Sequence, residues 1–227
     1  MKKYYLLLPL FLIISDVYSQ TLSHVTISGA TTLKAFSFIT SQQVIIKITP
    51  EGNMMEWGVE IDPTRNGYYW GKLDPYMGRV EYYGQESDEA FRGKVKSIGS
   101  CNITYYASSQ PEIQRGKIKT IGSLQLDYYL NYDDVNYKGK LKSAGSLALN
   151  YFSSYDNDAF KGKLKSVGTT SITYYSIFDD RLNKGKIKSI GNFRVTWYNE
   201  LDRKELQGGM KSGATMQKVN SVTYNIM

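Results

Sequence analysis

The amino-acid sequence predicts an all-β protein in which tandem hairpins of 23 residues form an extended antiparallel meander, largely as a single layer. Two observations lead to this prediction. Five similar segments follow one another at a fixed step, which is typical of a repeat array. Within each segment, apolar and polar residues alternate with the period of a β-strand. The composition agrees, because 20 of the 227 residues are tyrosine, a residue that favours strands.

The N-terminus has the features of a secretory signal peptide, which we assign to residues 1–19. Lys2 and Lys3 form its positive end, Leu6 to Ile14 its apolar run, and cleavage is expected between Ser19 and Gln20. The apolar run is shorter than the roughly 20 residues of a membrane-spanning helix, and no later segment is longer. We therefore expect an exported chain, periplasmic, cell-surface or extracellular, without a transmembrane segment after cleavage.

The mature chain is moderately basic and has one thiol. Removal of the signal peptide takes away two lysines and one aspartate, which leaves 26 basic and 20 acidic residues and a net charge of +6. Cys101 is the only cysteine, so no internal disulfide and no lipidated N-terminal cysteine is expected. Stability must come from hydrogen bonds and packing.

The repeats occupy residues 71–207. A degenerate unit covers 71–92, because Val80 and Tyr82 occupy the columns of Ile103 and Tyr105. Five regular units cover 93–207 and resemble GKIKTIGSLQLDYY, the segment that begins at Gly116. Residues 208–227 are interpreted as a C-terminal capping repeat. The regular units begin, 23 residues apart, at Gly93, Gly116, Gly139, Gly162 and Gly185.

Each unit is predicted to be one tight hairpin. Glycine followed by a small polar residue, as in Gly122-Ser123, is what a two-residue type II′ turn requires. The expected register places Ile121, Lys119 and Lys117 opposite Leu124, Leu126 and Tyr128 on one face. On the other face Thr120, Ile118 and Gly116 are expected opposite Gln125, Asp127 and Tyr129, with the Tyr129 ring over the glycine backbone.

A parallel β-solenoid is the alternative architecture. In a solenoid the lysine columns would stack at about 4.8 Å instead of about 9.6 Å, which roughly doubles their repulsion. The Gly-Ser turns favour hairpins more strongly. Because lysines alternate with apolar residues on one predicted face, neither face is dry enough for the interior of a sandwich, and a largely single-layer sheet follows.

The flanking segments are expected to close the ends of the array. Residues 20–70 contain the strand-like segments HVTIS, LKAFSFIT and QVIIKIT, with turn signals at Glu51-Gly52, Asp62-Pro63 and Asn66-Gly67. They are predicted to cap one end. The strand near 221–225 is predicted to cover the other, since an open edge invites pairing with another chain.

The sequence around the glycines resembles a known repeat family. YKGKLKSAG, at 137–145, resembles MORN repeats, and GKIKSIGN, at 185–192, resembles a bacterial MORN-like variant. The similarity covers roughly 71–207. It implies an elongated single sheet that serves as a scaffold or binds lipid headgroups.

Catalytic and metal-binding patterns are not found. His24 is the only histidine and lies in a predicted strand, where a structural role is favoured because it lacks an orienting partner. Cys101 occupies the column of Leu124 and is interpreted as a small buried apolar residue. Asp133, Asp156, Asp179 and Asp202 stand one repeat apart, and we interpret them as turn residues rather than calcium ligands. No metal or cofactor is predicted.

The candidate binding site is a strip of lysine and aromatic residues on one predicted face of the sheet. Aromatic rings stack on sugars or bases, and lysines attract phosphate or carboxylate, so an anionic polymer or the cell-envelope surface is the candidate partner. The alternative is that the strip only keeps an exposed sheet soluble. The strip comprises Lys94, Lys96, Lys117, Lys119, Lys140, Lys142, Lys163, Lys165, Lys186, Lys188, Tyr105, Tyr128, Tyr151, Tyr174 and Trp197, and the degenerate unit adds Tyr82.

Three functions remain open at the level of sequence. The favoured one is an exported, non-catalytic structural or interaction protein. The second is a module that binds acidic glycan, anionic lipid or extracellular nucleic acid through the strip. The third is an enzyme that uses carboxylates such as Glu56, Glu60 or Asp62, which would need a concave pocket in the N-terminal part. We expect that the chain is not an enzyme.

Overall fold

The computed structural model describes residues 20–61 and 72–227, and regular structure in these ranges consists of β-strands. The predicted signal peptide and the turn signals at Asp62-Pro63 and Asn66-Gly67 lie outside the described residues. In the part that is described, no helix is long and apolar enough to cross a bilayer.

The N-terminal part forms an antiparallel meander of five strands. These are β1 (Thr21–Ser28), β2 (Thr32–Ile39), β3 (Val44–Ile48), β4 (Met54–Glu60) and β5 (Leu73–Asp74). One face is strongly apolar, since Phe36, Phe38, Ile46 and Ile48 are fully buried. The other face carries polar side chains such as Lys47 together with apolar ones such as Ile45.

The repeats form a sheet of eleven consecutive antiparallel strands, which confirms the predicted meander of hairpins and rejects the solenoid. The strands are β6 (Val80–Tyr82), β7 (Val95–Ile98), β8 (Cys101–Tyr105), β9 (Ile118–Ile121), β10 (Leu124–Tyr128), β11 (Leu141–Ala144), β12 (Leu147–Tyr151), β13 (Leu164–Val167), β14 (Thr170–Tyr174), β15 (Ile187–Ile190) and β16 (Phe193–Arg194). A further pair, β17 (Thr196–Trp197) and β18 (Met210–Ser212), repeats the same pairing between units.

The hairpin turns have the predicted geometry. Gly122 has a φ of +56°, which a residue with a side chain rarely adopts, and Ser123 does not share this conformation. Ile121 pairs with Leu124, and Thr120 with Gln125, as predicted. The glycine therefore reverses the chain in the manner of a type II′ turn.

The remainder of the predicted register is not formed. Within the hairpin, the pairing of β9 with β10 ends at Thr120 and Gln125, and β9 carries a β-bulge where it pairs with the preceding unit. Between β8 and β9, Thr104 pairs with Thr120 and Tyr105 with Ile118, so Lys119 is an extra residue. An extra residue inverts the alternation of side chains along the strand. Ile118 and Ile121 are consequently both fully buried, while Lys119 points to solvent.

The bulge also changes the partner of each unit's first glycine. The Gly139 amide donates to the Tyr129 carbonyl at 2.8 Å, and the Tyr129 amide donates to the Lys140 carbonyl at 2.9 Å. Tyr129 therefore lies beside the glycine of the following unit, not beside Gly116 as predicted. The ladder between units continues one step beyond the strands, into the loops.

The C-terminal segment returns to the N-terminal strands. It forms β19 (Met216–Val219) and β20 (Val222–Ile226), and β20 pairs in parallel with β1. The order of the resulting seven-stranded sheet is β19-β20-β1-β2-β3-β4-β5. The last strand was expected to cover the far edge of the repeats, and this expectation is wrong.

The seven-stranded sheet covers one face of the repeat sheet. Ala30 accepts a hydrogen bond from the Ile187 amide at 2.9 Å, Pro50 accepts one from the Leu141 amide at 2.7 Å, and Gln42 accepts one from the Ser100 amide at 2.9 Å. These contacts run from the first unit to the fifth. The N-terminal segment therefore covers a face, whereas the sequence predicted a cap at one end.

The two sheets enclose one core. Buried side chains of both belong to a single apolar cluster, with Phe36 and Phe38 on one side and Ile103, Ile121 and Leu126 on the other. The largely single-layer arrangement expected from the sequence thus gives way to two layers. Its physical cause is the bulge, which turns the second lysine of each unit, such as Lys119, to the open face and leaves the inner face predominantly apolar.

Candidate functional site

The inner aromatic column of the predicted strip is part of the core. Tyr105, Tyr128, Tyr151 and Tyr174 are only 2–7% exposed. Each hydroxyl donates to a main-chain carbonyl of its own hairpin, as Tyr128 does to Ile118 at 2.7 Å. Trp197 makes the equivalent bond from its Nε1 atom to Ile187 at 2.7 Å. These rings hold the two strands of a hairpin together and are not available to a ligand.

The first lysine of each unit is also used internally. Lys140 donates to the Gly162 carbonyl at 2.7 Å, and its ammonium lies 5.3 Å from the centroid of the Tyr151 ring. Burial lowers the pKa of this column, and that of Lys163 falls to about 8. The half-buried column, which links each unit to the next, comprises Lys94, Lys117, Lys140, Lys163 and Lys186.

The second lysine of each unit lies on the open face of the repeat sheet. Lys165 lies 5.3 Å from the Phe152 ring centroid, and Lys188 lies 5.2 Å from that of Tyr175. We call this set the outer lysine column; it comprises Lys96, Lys119, Lys142, Lys165 and Lys188, all exposed. The predicted strip is therefore not one surface, because its residues are divided between the core, the contacts between units and the open face. In the degenerate unit, Tyr82 is 55% exposed.

Sequence reasoning missed a fourth column, at the tips of the loops between hairpins. Tyr132, Tyr155, Phe178 and Leu201 stand one repeat apart and are 84%, 97%, 87% and 95% exposed. We call this set the loop-edge ladder. An apolar residue before the aspartate in four successive loops was the available signal. A row of exposed apolar side chains on a folded protein is characteristic of an interaction site.

The aspartates after the ladder residues shape the loops. The Ser153 amide donates to Asp156 at 2.6 Å, and the Leu130 amide donates to Asp133 at 2.6 Å. The hydrogen bonds from Ser153 lower the pKa of Asp156. The turn interpretation is confirmed, and the described residues contain no group of three or more acidic, histidine or cysteine side chains placed to hold a metal ion.

A second set of polar residues connects neighbouring loops. Asp134 accepts hydrogen bonds from the amide and the hydroxyl of Ser154 at 2.7 and 2.6 Å, and the hydrogen bonds lower its pKa to about 2. Asn157 accepts from the Ile177 amide at 3.2 Å, and Asp180 from the Glu200 amide at 3.0 Å. The four loops that carry the ladder are therefore stacked on one another as the strands are.

Cys101 and His24 are the only cysteine and the only histidine of the sequence. Cys101 is buried, as predicted, and burial raises the pKa of its thiol to about 11, so it is protonated at neutral pH. His24 lies on the outer face of the N-terminal sheet, with Nδ1 3.0 Å from the Ser23 hydroxyl and Nε2 3.5 Å from the Glu60 carboxylate. Burial lowers the pKa of His24 more than Glu60 raises it.

A groove of about 230 Å³ lies beside His24 on this outer face. Glu56 and Glu60, two of the carboxylates considered for catalysis, line it, while Asp62 lies outside the described residues. Glu56 is paired with Lys47 at 2.6 Å, and both glutamate side chains are about half exposed. Water therefore reaches both carboxylates.

We compared the chain with known proteins. No family model, no curated protein and no solved structure matches this chain. The resemblance to MORN repeats stays a prediction.

Proposed function

We propose that this chain is an exported, non-catalytic interaction protein in which the repeat sheet is a rigid support for the loop-edge ladder. The carrying observation is that Tyr132, Tyr155, Phe178 and Leu201 are 84–97% exposed, although all other aromatic columns of the regular units are used in packing. Exposure of this kind contributes nothing to stability and promotes aggregation, so a binding role accounts for it best.

The rigidity of the support favours binding by a fixed surface. The main-chain amide of Phe178 bonds to the Ser176 hydroxyl at 3.2 Å, and that of Leu201 bonds to the Asn199 side chain at 2.9 Å. The main chain at these ladder residues is therefore held in place before a partner arrives. A preorganised surface loses little conformational entropy on binding, which raises affinity.

A second candidate function is binding of an acidic glycan, an anionic lipid or extracellular nucleic acid through the outer lysine column. Its support is the exposure of these lysines at one position in every unit. Nearby acidic groups weaken the attraction, since Lys188 lies 3.9 Å from Asp179 and Lys211, one unit further on, lies 3.0 Å from Asp202. The ladder is therefore the stronger candidate.

The test is retention of the mature protein on the washed envelope fraction of the cells that express it. The full chain is expressed, its N-terminus after export is determined by mass, and purified protein is mixed with the envelopes across a salt series. Two variants are compared with the wild type. The ladder variant carries Tyr132→Ser, Tyr155→Ser, Phe178→Ser and Leu201→Ser, and the lysine variant carries Lys119→Gln, Lys142→Gln and Lys165→Gln.

The proposal expects an N-terminus at Gln20, salt-tolerant retention of the wild type and the lysine variant, and loss of retention in the ladder variant. Retention that salt abolishes and that only the lysine variant loses would establish the second function instead. An uncleaved chain that stays inside the cell would contradict export. Unchanged retention of both variants would contradict both binding functions.

A further inference from the structure

The chemistry of a partner for the loop-edge ladder follows from its spacing, its charge and its side chains. This inference rests on the function proposed above. Each unit adds two strands, and strands lie about 4.8 Å apart, so successive ladder residues repeat about every 9.6 Å along the sheet. The direct hydrogen bonds from loop to loop, such as Asp134 to Ser154 at 2.7 Å, keep the loops at the spacing of the strands.

A ladder with this period matches a straight polymer with an equally long repeat. In an extended β-1,4-linked glycan, consecutive sugars are turned over, so the same ring face recurs at every second sugar. One disaccharide of such a chain has about the length of one unit of the sheet. The sugars of an α-1,4-linked glucan follow a helix, so one ring face does not recur at every second sugar.

The side chains of the ladder suit the apolar face of a sugar. Tyr132, Tyr155 and Phe178 offer flat aromatic rings with most of their surface in water. An aspartate follows each ring in the chain. One carboxylate oxygen of Asp133, Asp156 and Asp179 accepts hydrogen bonds within its own loop, and the other can accept one from a hydroxyl group of a ligand. Leu201 has no ring and extends the apolar row at its end.

The charge of the loops disfavours an acidic polymer. The segments 130–138, 153–161 and 199–207 each have one more acidic than basic residue, and 176–184 has equal numbers. The net negative charge of three of these loops would repel phosphate, sulfate or uronic acid groups. A neutral polymer avoids this repulsion.

We propose that the loop-edge ladder binds a neutral, extended β-1,4-linked polysaccharide, with one aromatic ring stacked on every second sugar. Three rings then cover a segment of about five sugars, given the pitch of two strands per unit. Binding is expected to depend on the rings and to be nearly independent of salt, since no charged group of the ligand takes part.

The experiment is a calorimetric titration of the purified mature protein with β-1,4-linked oligomers of glucose and of N-acetylglucosamine, from disaccharide to octasaccharide. Affinity for at least one series is expected to rise with length to about five sugars, the number that three rings cover at this pitch, and then to level off. α-1,4-linked oligomers of glucose are the control ligand and are expected not to bind.

Substitution of the central ring provides the matched comparison. Tyr155→Ser is expected to weaken binding of the hexasaccharide roughly 3- to 10-fold, the range for loss of one aromatic contact. Tyr155→Phe keeps the ring and should retain more of the affinity than Tyr155→Ser. Lys142→Gln alters only the outer lysine column and should bind as the wild type does.

The inference is overturned if neither β-1,4-linked series binds, if the α-1,4-linked control binds equally well, or if Tyr155→Ser has no effect. If the ladder variant still loses envelope retention while no β-1,4-linked oligomer binds, the ladder is an interaction site for another class of partner. That outcome refutes the glycan and leaves the proposed function standing.

Discussion

The inner tyrosine column and the loop-edge ladder repeat with the same period of 23 residues, yet they occupy opposite environments. Tyr151 is 6% exposed and bonds to the Leu141 carbonyl at 3.1 Å, whereas Tyr155, four residues later, is 97% exposed. The hydroxyl and ring of Tyr151 complete a hairpin. The ring of Tyr155 contributes nothing to the core. Residue type and periodicity therefore do not distinguish a packing column from a binding column; position relative to the strand does.

Truncation of one residue from each column tests the difference between the two columns most strongly. Tyr151→Ala should lower the free energy of unfolding by about 3 to 5 kcal/mol, because it leaves a cavity between the two sheets. Tyr155→Ala should change it by less than about 0.5 kcal/mol, as for other exposed sites. Urea unfolding of the two variants and the wild type measures both values.

If Tyr151→Ala does not fold, Tyr151→Phe replaces it in the same measurement. This variant keeps the ring and loses only the hydrogen bond to Leu141, so a loss of about 0.5 to 1.5 kcal/mol is expected. Equal effects at Tyr151 and Tyr155 would contradict the assignment of the two columns.

A second comparison concerns the two sheets, and Gly52 lies where they meet. Its φ is +85°, and an added Cβ would lie 2.1 Å from the Tyr128 hydroxyl oxygen. Gly52→Ala combines a left-handed backbone with a clash in the core, so it should destabilise the protein by about 2 to 4 kcal/mol.

Gly29→Ala is the control for the backbone effect, again by urea unfolding. Gly29 has a φ of +57°, but its added Cβ would meet nothing closer than 3.7 Å. A loss of about 1 to 2 kcal/mol from the backbone alone is expected. If the two substitutions had the same effect, the N-terminal sheet would not be packed on the repeats at Tyr128.

The smallest expected difference is between the two lysine columns and concerns how the free energy of unfolding depends on pH. Burial lowers the pKa of Lys163 to about 8, while an unfolded chain keeps this proton until about pH 10.4. Between these values the unfolded state binds more protons, so stability rises with pH. Above about pH 10 it should fall, because burial raises the pKa of Tyr128 and Tyr151 and the folded state keeps protons that the unfolded state loses.

Urea unfolding from pH 7 to 11 should therefore show a maximum near pH 10, where the lysine and tyrosine effects meet. Lys163→Met should reduce the rise below the maximum, and Lys188→Met, from the outer lysine column, should leave it intact. The fall above the maximum should persist in both. A rise that is unaffected by Lys163→Met would show that the first column is not buried.

Local signals in the sequence predicted the repeat sheet well. The step from Gly116 to Gly139 defined the unit, and Gly122-Ser123 defined the turn and the pairing of Ile121 with Leu124. These features depend on residues that are neighbours in the chain, where glycine conformation and strand alternation act directly. The aspartate turns, such as that of Asp156, were predicted for the same reason.

The candidate site could not be predicted in the same way. Counting alternate residues placed Lys119 and Leu126 on one face, because the count does not register the extra residue of the bulge. Because of that error, the prediction placed Tyr128 on an open surface and did not require a second sheet to cover it. The recurrence of an apolar residue before the aspartate in successive loops was a signal for Tyr155. That the Tyr155 side chain is exposed depends on the packing of the whole fold.

The all-β class, the hairpin unit, its turns and the period with which each side chain recurs can be predicted from the amino-acid sequence, because these features depend on short-range backbone preferences. Which columns are buried depends on the tertiary fold. The seven-stranded sheet encloses the Tyr128 column and, with the bulges, leaves the outer lysine column and the loop-edge ladder in water. Burial depends on contacts between segments far apart in the chain, such as Ala30 with Ile187, which no local pattern encodes.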